Sequence, residues 1–267
     1  FGDPDINVTT LEATIFRGMV SHKLSETSKA NLSVTSSSFE KLYQNLYASG
    51  YDGTLVTMDG YLDPTERDNF IVSGNVVNEM MIGNMSHTFL VGAEFIDTEN
   101  KNLRYDTFWS TTSDDNEVFA ITNPMDFTVN SAGVATSVDF TSALKSRTTS
   151  DISVTSFFVQ DQIDVTDNLK VMVGARIDDF DITVADVKNG TSESRNDSTT
   201  SPRFGVVYKP EENVSVYYSY SESFLPRSGE QFKKLDASAA RLDPDVFEST
   251  EVGIKWAISD SMSFTAA

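Results

Sequence analysis

Few residues in this chain have types and spacings that could do chemistry. The run Asp178-Asp179-Phe180-Asp181 supplies carboxylates for acid–base work or a metal. On a strand, Asp178 and Asp179 point to opposite faces and do not converge. The run also lacks the glycine and distal Glu of a calcium loop. His22 and His87 stand far apart, each near a predicted tight turn and without a neighbouring ligand, and read as surface residues. Asp114, Asp115 and Glu117 read as a solvated loop, whose functional reading is cation-bridged contact with an anionic surface. No nucleophile and base come together. The expectation is a protein that is not an enzyme and has no resident metal or cofactor. Two other stretches mix arginine with aromatic or amide side chains: Arg104, Tyr105, Phe108 and Trp109, then Arg227, Gln231 and Phe232. Both fall in predicted long connections.

The elements that hold these residues are strands. From Ser201 the chain alternates Phe204, Val206, Tyr208 against Arg203, Gly205, Val207, Lys209. It turns near Pro210 and Glu211-Glu212-Asn213, then alternates Val214, Val216, Tyr218, Tyr220 against serines and Tyr217. Period two with one apolar face is a strand signature. The same pattern runs through Leu169, Val171, Val173, Ala175 and Ile177, and through Val252, Ile254 and Trp256. Earlier strands are expected over Thr10–His22, Asn31–Phe39, Phe70–Val76 and Phe89–Phe95. The total is about ten strands in five hairpins. Connections inside hairpins are short. Those between hairpins (40–67, 98–150, 186–200, 227–245) read as long. An outer-membrane barrel sorts its connections in this way; a soluble sandwich has no reason to.

Composition narrows the function. Forty acidic residues against 20 basic give a formal charge of -20. That argues against nucleic acid, which needs clustered Lys and Arg. There is no cysteine, so thiolate metal sites, disulfides and thiol nucleophiles are excluded. No apolar run approaches the ~20 residues of a membrane helix, which says nothing against a barrel. The chain opens at Phe1 without a signal peptide and stops within a strand at Phe264-Thr265-Ala266-Ala267, so it is expected to be a piece of a longer protein.

The strand motifs resemble a known family. They are Phe157-Phe158-Val159-Gln160-Asp161-Gln162, Val173-Gly174-Ala175-Arg176-Ile177-Asp178, Ser201-Pro202-Arg203-Phe204-Gly205, Tyr218-Ser219-Tyr220-Ser221-Glu222-Ser223-Phe224 and Glu251-Val252-Gly253-Ile254-Lys255-Trp256. In order and spacing they are similar to the C-terminal barrel of a TonB-dependent siderophore receptor. Phe224-Leu225-Pro226-Arg227-Ser228-Gly229-Glu230-Gln231-Phe232 resembles the ferric catecholate branch. The resemblance is specific from about residue 150 onward.

It implies an all-β antiparallel meander, residues 1–267 forming part of a 22-stranded barrel in the bacterial outer membrane. The N-terminal plug and the last strands of such a receptor would lie outside this chain. The implied function is uptake of a ferric siderophore, energised by TonB acting on the plug. Outer-membrane lipid and lipopolysaccharide would surround the wall. A ferric catecholate is bulky, aromatic and anionic, which suits Arg104, Tyr105, Phe108, Trp109, Arg227, Gln231 and Phe232 as contacts. Glu94, Arg176, Asp178, Arg203, Glu251 and Lys255 fall on the predicted lumen face, as contacts for the plug or as a wet wall. Two alternatives stay open: a soluble or surface-anchored adhesin-like β module, and a receptor for haem or another chelate.

Overall fold

The computed structural model describes residues 3–122, 124–225, 235 and 243–267. The chain forms β1 (Val8–Lys23), β2 (Ser28–Tyr51), β3 (Leu55–Ile82), β4 (Met85–Trp109), β5 (Asn116–Ala120), β6 (Val138–Thr166), β7 (Leu169–Asp186), β8 (Thr191–Glu211), β9 (Val214–Leu225), β10 (Asp245–Ser259) and β11 (Met262–Ala266). All lie in one antiparallel sheet of order β1-β2-β3-β4-β6-β7-β8-β9-β10-β11, with β5 paired to β3 off that path. Each strand except β5 therefore pairs with its neighbours in a meander, as expected, while β5 lies off the path and β4 pairs directly with β6. There is no helix among the described residues.

The tight turns share a rim. The Glu79 N–H donates to the Thr27 carbonyl at 2.8 Å, Lys209 to Asn168 at 2.8 Å and Ala257 to Asn213 at 2.8 Å, so each turn ties to the next strand over. At the other rim the expected long connections are mostly strand. Residues 40–51 continue β2, 55–67 continue β3, 98–109 continue β4, and 191–200 open β8. β6 also begins twelve residues before Ser150, at Val138. The tips joining β2 to β3 and β7 to β8 are short and contain Gly53 (φ 101°) and Gly190 (φ 70°). A side chain with a Cβ is strained in that region. In these extensions the apolar residues of one face, such as Leu42, Leu46, Val56, Met58 and Leu62, are interrupted by Glu40, Gly60, Pro64 and Glu66, so the period-two signal is weak and they read as loops. The asymmetry between rims is thus one of strand length as well as loop length. Among the described residues the longest irregular stretch is 110–137, within which β5 is the one strand.

Alternation fixes the two faces. Phe157 (59% exposed), Val91 (57%) and Val252 (61%) stand on one, and no second sheet among the described residues covers them. Phe70, Phe95, Val159, Val173, Ile177, Phe204 and Tyr218 are exposed on the same face. A contiguous apolar face of this extent has no place in water. This finding removes the sandwich. Among the described residues, apolar cores form only beyond the band, toward the rim opposite the turns. One joins Leu46, Val56, Met58, Leu62, Trp109, Phe119, Phe127 and Phe140; a second, on the polar face, joins Ile152, Val154, Ile182, Val184 and Leu235.

Candidate functional site

Arg104, Tyr105, Phe108 and Trp109 do not form one patch. They end β4, and strand alternation sends Arg104 to the polar face and Tyr105 to the opposite one. Trp109 is fully buried, with the Phe119 ring 5.1 Å away, and Tyr105 packs against the same core. Phe108 stays 38% exposed. Trp109 is therefore a packing residue with no surface to offer.

Arg104 has other companions. Its guanidinium carbon lies 4.0 Å from the Tyr61 ring centroid, and its Nη1 is 3.4 Å from Asp63 Oδ2. Tyr43 and Tyr47 flank Tyr61, with ring centroids 5.7 and 6.0 Å away. The register explains the meeting: Tyr43 pairs with Asp63, Tyr47 with Asp59 and Tyr61 with Asp106. All share a face with Arg104. Burial raises the Tyr47 hydroxyl above its ordinary pKa, and its bond to Asp59 at 3.1 Å raises it further. Burial, then contact with Tyr43, raises Tyr61. These phenols therefore stay protonated as donors at neutral pH. Lys145 reaches Asp106 at 2.7 Å beside them. The result is a cation stacked on an aromatic group, a geometry that receives flat or anionic matter. The tyrosines escaped the sequence reading because 40–67 was read as connection. The signal present was Leu42 and Leu46 alternating with Tyr43, Asn45 and Tyr47.

The six residues expected on the polar face form two constellations. Arg176 donates through Nε to Asp178 at 2.7 Å and through Nη2 to Glu94 and to Ser156 Oγ, each at 2.7 Å. Ser156 in turn donates to Asp178 at 2.5 Å. Asp178 is 3% exposed. Arg203 lies over Gly174 on the same face, where a Cβ would meet its Cγ at 3.2 Å. In the other constellation Tyr217 donates to Glu251 at 2.5 Å, and Lys255 Nζ lies 5.5 Å from the Tyr217 ring. The ring fills the space left by Gly253, where a Cβ would overlap it. Ser156 and Tyr217 join these sites without having been singled out.

Other expectations shift. Glu117 is 4% exposed rather than solvated, bonded by Thr111 Oγ1 and by the Val118 N–H. His87 is not a surface residue: it is 6% exposed, its Nδ1 is 2.8 Å from Asp161 Oδ2, and it stacks on Phe89 at 5.5 Å. Its place beside a turn suggested exposure, but alternation sets it on the apolar face with Phe89. Asp179 and Asp181 point away from Asp178, and Asp181 accepts from Asn196. Arg227, Gln231 and Phe232 lie outside the described residues.

Over residues 7–267 the chain matches the family "TonB dependent receptor-like, beta-barrel". The chain belongs to that family. It is similar to the ferrichrome outer membrane transporter/phage receptor of Escherichia coli (strain K12), 28% identical over 201 residues, which cover 74% of this chain and 25% of that protein. A probable TonB-dependent siderophore receptor, PiuA of Acinetobacter baumannii, is 26% identical over 230 residues, 76% of this chain and 29% of that one. The chain thus spans under a third of the length of either relative. Among solved structures, the crystal structure of PiuA from A. baumannii aligns with TM-score 0.80 and 20% identity over 99% of this chain and 40% of that chain. The closed form of the ferric-catecholate import receptor Fiu of E. coli K12 aligns at 0.75 with 14% identity, over 98% and 40%. These structures share the fold.

In this TonB-dependent receptor barrel, the apolar face meets outer-membrane lipid and the polar face lines the lumen. A charge at mid-band on the lipid face costs about 2–4 kcal/mol. Val173→Arg in the complete protein should therefore lower barrel stability by roughly that amount relative to Val173→Ala. Urea titration of the refolded barrel in lipid vesicles checks it.

Proposed function

We propose that the complete protein is an outer-membrane receptor that imports a ferric siderophore, driven by TonB acting on a plug held inside this barrel. The observation that carries the reading is the Arg104–Tyr61 stack on the lumenal face, flanked by Tyr43 and Tyr47. It lies outward of the apolar band, where a ligand entering from outside passes first. A ferric catecholate offers flat rings to the tyrosines and negative charge to the guanidinium. The named relatives include a ferrichrome transporter and a siderophore receptor. An adhesin-like module would leave the exposed apolar face unexplained.

The test is equilibrium binding to the complete protein of ferric catecholates, ferric hydroxamates and haem, at two ionic strengths. Losing a cation–π contact and a charge pair is worth on the order of 1–2 kcal/mol, so Arg104→Gln should weaken capture of the preferred chelate about tenfold. The loss should be larger at low salt, because exposed charges are screened beyond ~8 Å at physiological salt. Arg104→Lys should recover part of it. Unchanged affinity in Arg104→Gln would remove this residue from the site. Preference for haem would move the reading to another chelate, and no binding of any ferric chelate would end it.

A further inference from the structure

Beside the Arg104–Tyr61 stack, on the same lumenal face and nearer the membrane band, the wall has a depression of 450 Å³. Leu11 of β1, Phe39 and Lys41 of β2, Thr65 and Arg67 of β3, and Asn102 of β4 line it. The register builds it. Leu11 faces Lys41, Lys41 faces Thr65 and Thr65 faces Asn102, while Phe39 faces Arg67 in the adjoining row. Lys41 stands two residues from Tyr43, about 7 Å along the strand. Its Nζ lies 5.8 Å from the Tyr43 ring centroid.

The charge of this depression is opposite in sign to that of the chain. The sequence holds 40 acidic residues against 20 basic ones. Among the described residues that line the depression are Lys41 and Arg67, and no Asp or Glu. Strand alternation does the sorting. Glu12, Glu40 and Glu66 face one another across β1, β2 and β3 and point out of the barrel. Their neighbours Leu11, Lys41, Thr65 and Arg67 therefore point in. The lumenal carboxylate next along β3 is Asp63, which Arg104 already holds at 3.4 Å.

A second observation points the same way. Asn102 is 5% exposed. Its Oδ1 accepts from Thr65 Oγ1 at 3.2 Å, and its Nδ2 is enclosed without an acceptor. Buried polar groups are almost always paired. Arg67 donates through Nε to Asn100 Oδ1 at 3.2 Å, which holds the guanidinium in place. Lys41 is exposed, on a flexible stem that moves with an entering group. Two cations and an orphaned donor ask for an acceptor that carries negative charge. Leu11 and Phe39 give the same depression an apolar side.

We propose that this depression reads a carboxylate arm on the imported chelate, so that the preferred substrates are aromatic ferric chelates bearing a free carboxylate. The rings of the chelate rest on Tyr61 and Arg104. The arm reaches Lys41, Arg67 and Asn102 Nδ2, with its methylene carbons along Leu11 and Phe39. A short arm suffices, because the two places are about two residues of strand apart. The proposal rests on the receptor reading above and adds a second recognised feature of the ligand.

The test is equilibrium binding to the complete protein of two matched probes: the ferric complex of 2,3-dihydroxybenzoylglycine, which carries a free carboxylate, and that of its methylamide. The wild type should prefer the carboxylate form about tenfold, the scale of a charge-assisted hydrogen bond. In Lys41→Gln with Arg67→Gln the preference should fall to within about twofold, with affinity for the methylamide form unchanged. If that variant does not fold, Lys41→Gln alone should lower the preference in the same direction. Arg104→Gln should weaken both forms and keep most of the preference, since Arg104 meets the rings and not the arm. Equal loss of preference in Arg104→Gln and in the double variant would mean that net charge alone is read, and overturns the proposal. An unchanged preference in the double variant also overturns it; a lowered thermal midpoint beside that result would assign the two cations to the plug. If the wild type binds both forms equally, the subsite falls and the receptor reading stands. If it binds neither form nor any other ferric chelate, the receptor reading falls and this proposal with it.

Discussion

Arg176→Ala should destabilise the complete barrel by roughly 3 kcal/mol, the cost of breaking a buried ion pair from one side. The guanidinium answers Asp178, Glu94 and Ser156 together, at 2.7 Å each. Removing it leaves two uncompensated carboxylates in one row of the sheet, Glu94 and Asp178 on either side of Ser156, and Asp178 is 3% exposed. The penalty is therefore mostly electrostatic, not lost packing. Replacing the charged set as a unit, with Arg176→Met, Glu94→Gln and Asp178→Asn, should recover most of it. Urea unfolding of the refolded barrels measures both. If the single and triple variants are equally unstable, the loss comes from packing and the ionic account fails. The same geometry bears on the plug. Arg176 is already bonded within the wall, so a plug residue meeting it adds to a satisfied group instead of completing one. Arg176 is then part of the barrel's own cross-strand lacing, joining β4, β6 and β7.

What was legible in the sequence follows from where one face is apolar. β7, the β8–β9 hairpin and β10 could be read because Val173, Phe204 and Val252 alternate with Gly174, Arg203 and Gly253. The same alternation put Arg176, Asp178, Arg203, Glu251 and Lys255 together on one face. Outside the membrane band the apolar side chains of a face are fewer and interrupted by Gly60, Pro64 and charged residues, and the period weakens. Residues 55–67 contain Gly60, Pro64 and three acidic side chains and look like a loop, yet they pair with β2 through most of their length. What holds them is the neighbouring backbone, a partner that no local pattern announces. The candidate site suffered from the opposite error. Arg104 and Tyr105 are adjacent in sequence and were grouped, although adjacent strand residues face apart. Arg104's true neighbours, Tyr43 and Tyr61, arrive from β2 and β3, and only the register brings them together.

Trp109→Ala should cost about 3–5 kcal/mol in stability, the range for emptying a fully buried aromatic site. The indole is 0% exposed and touches a cluster built from four separated parts of the chain: Leu46 of β2, Val56 and Met58 of β3, Phe119 of β5, and Phe127 and Phe140 of and before β6. That cluster folds the 110–137 stretch against the extended strands. Its loss should appear as local opening, read as faster amide exchange in β5 and in residues 55–59, which pair with it. Trp109→Phe should retain most of the protection, because a ring remains against Phe119. Chelate affinity separates this role from direct contact. If Trp109 acts only by packing, Trp109→Phe binds ferric chelate as the wild type does while Arg104→Gln does not. A Trp109→Phe variant that keeps its exchange protection but loses affinity would return the indole to the binding surface. Such a result would require the 110–137 stretch to open during capture, since no indole surface is available in the closed arrangement.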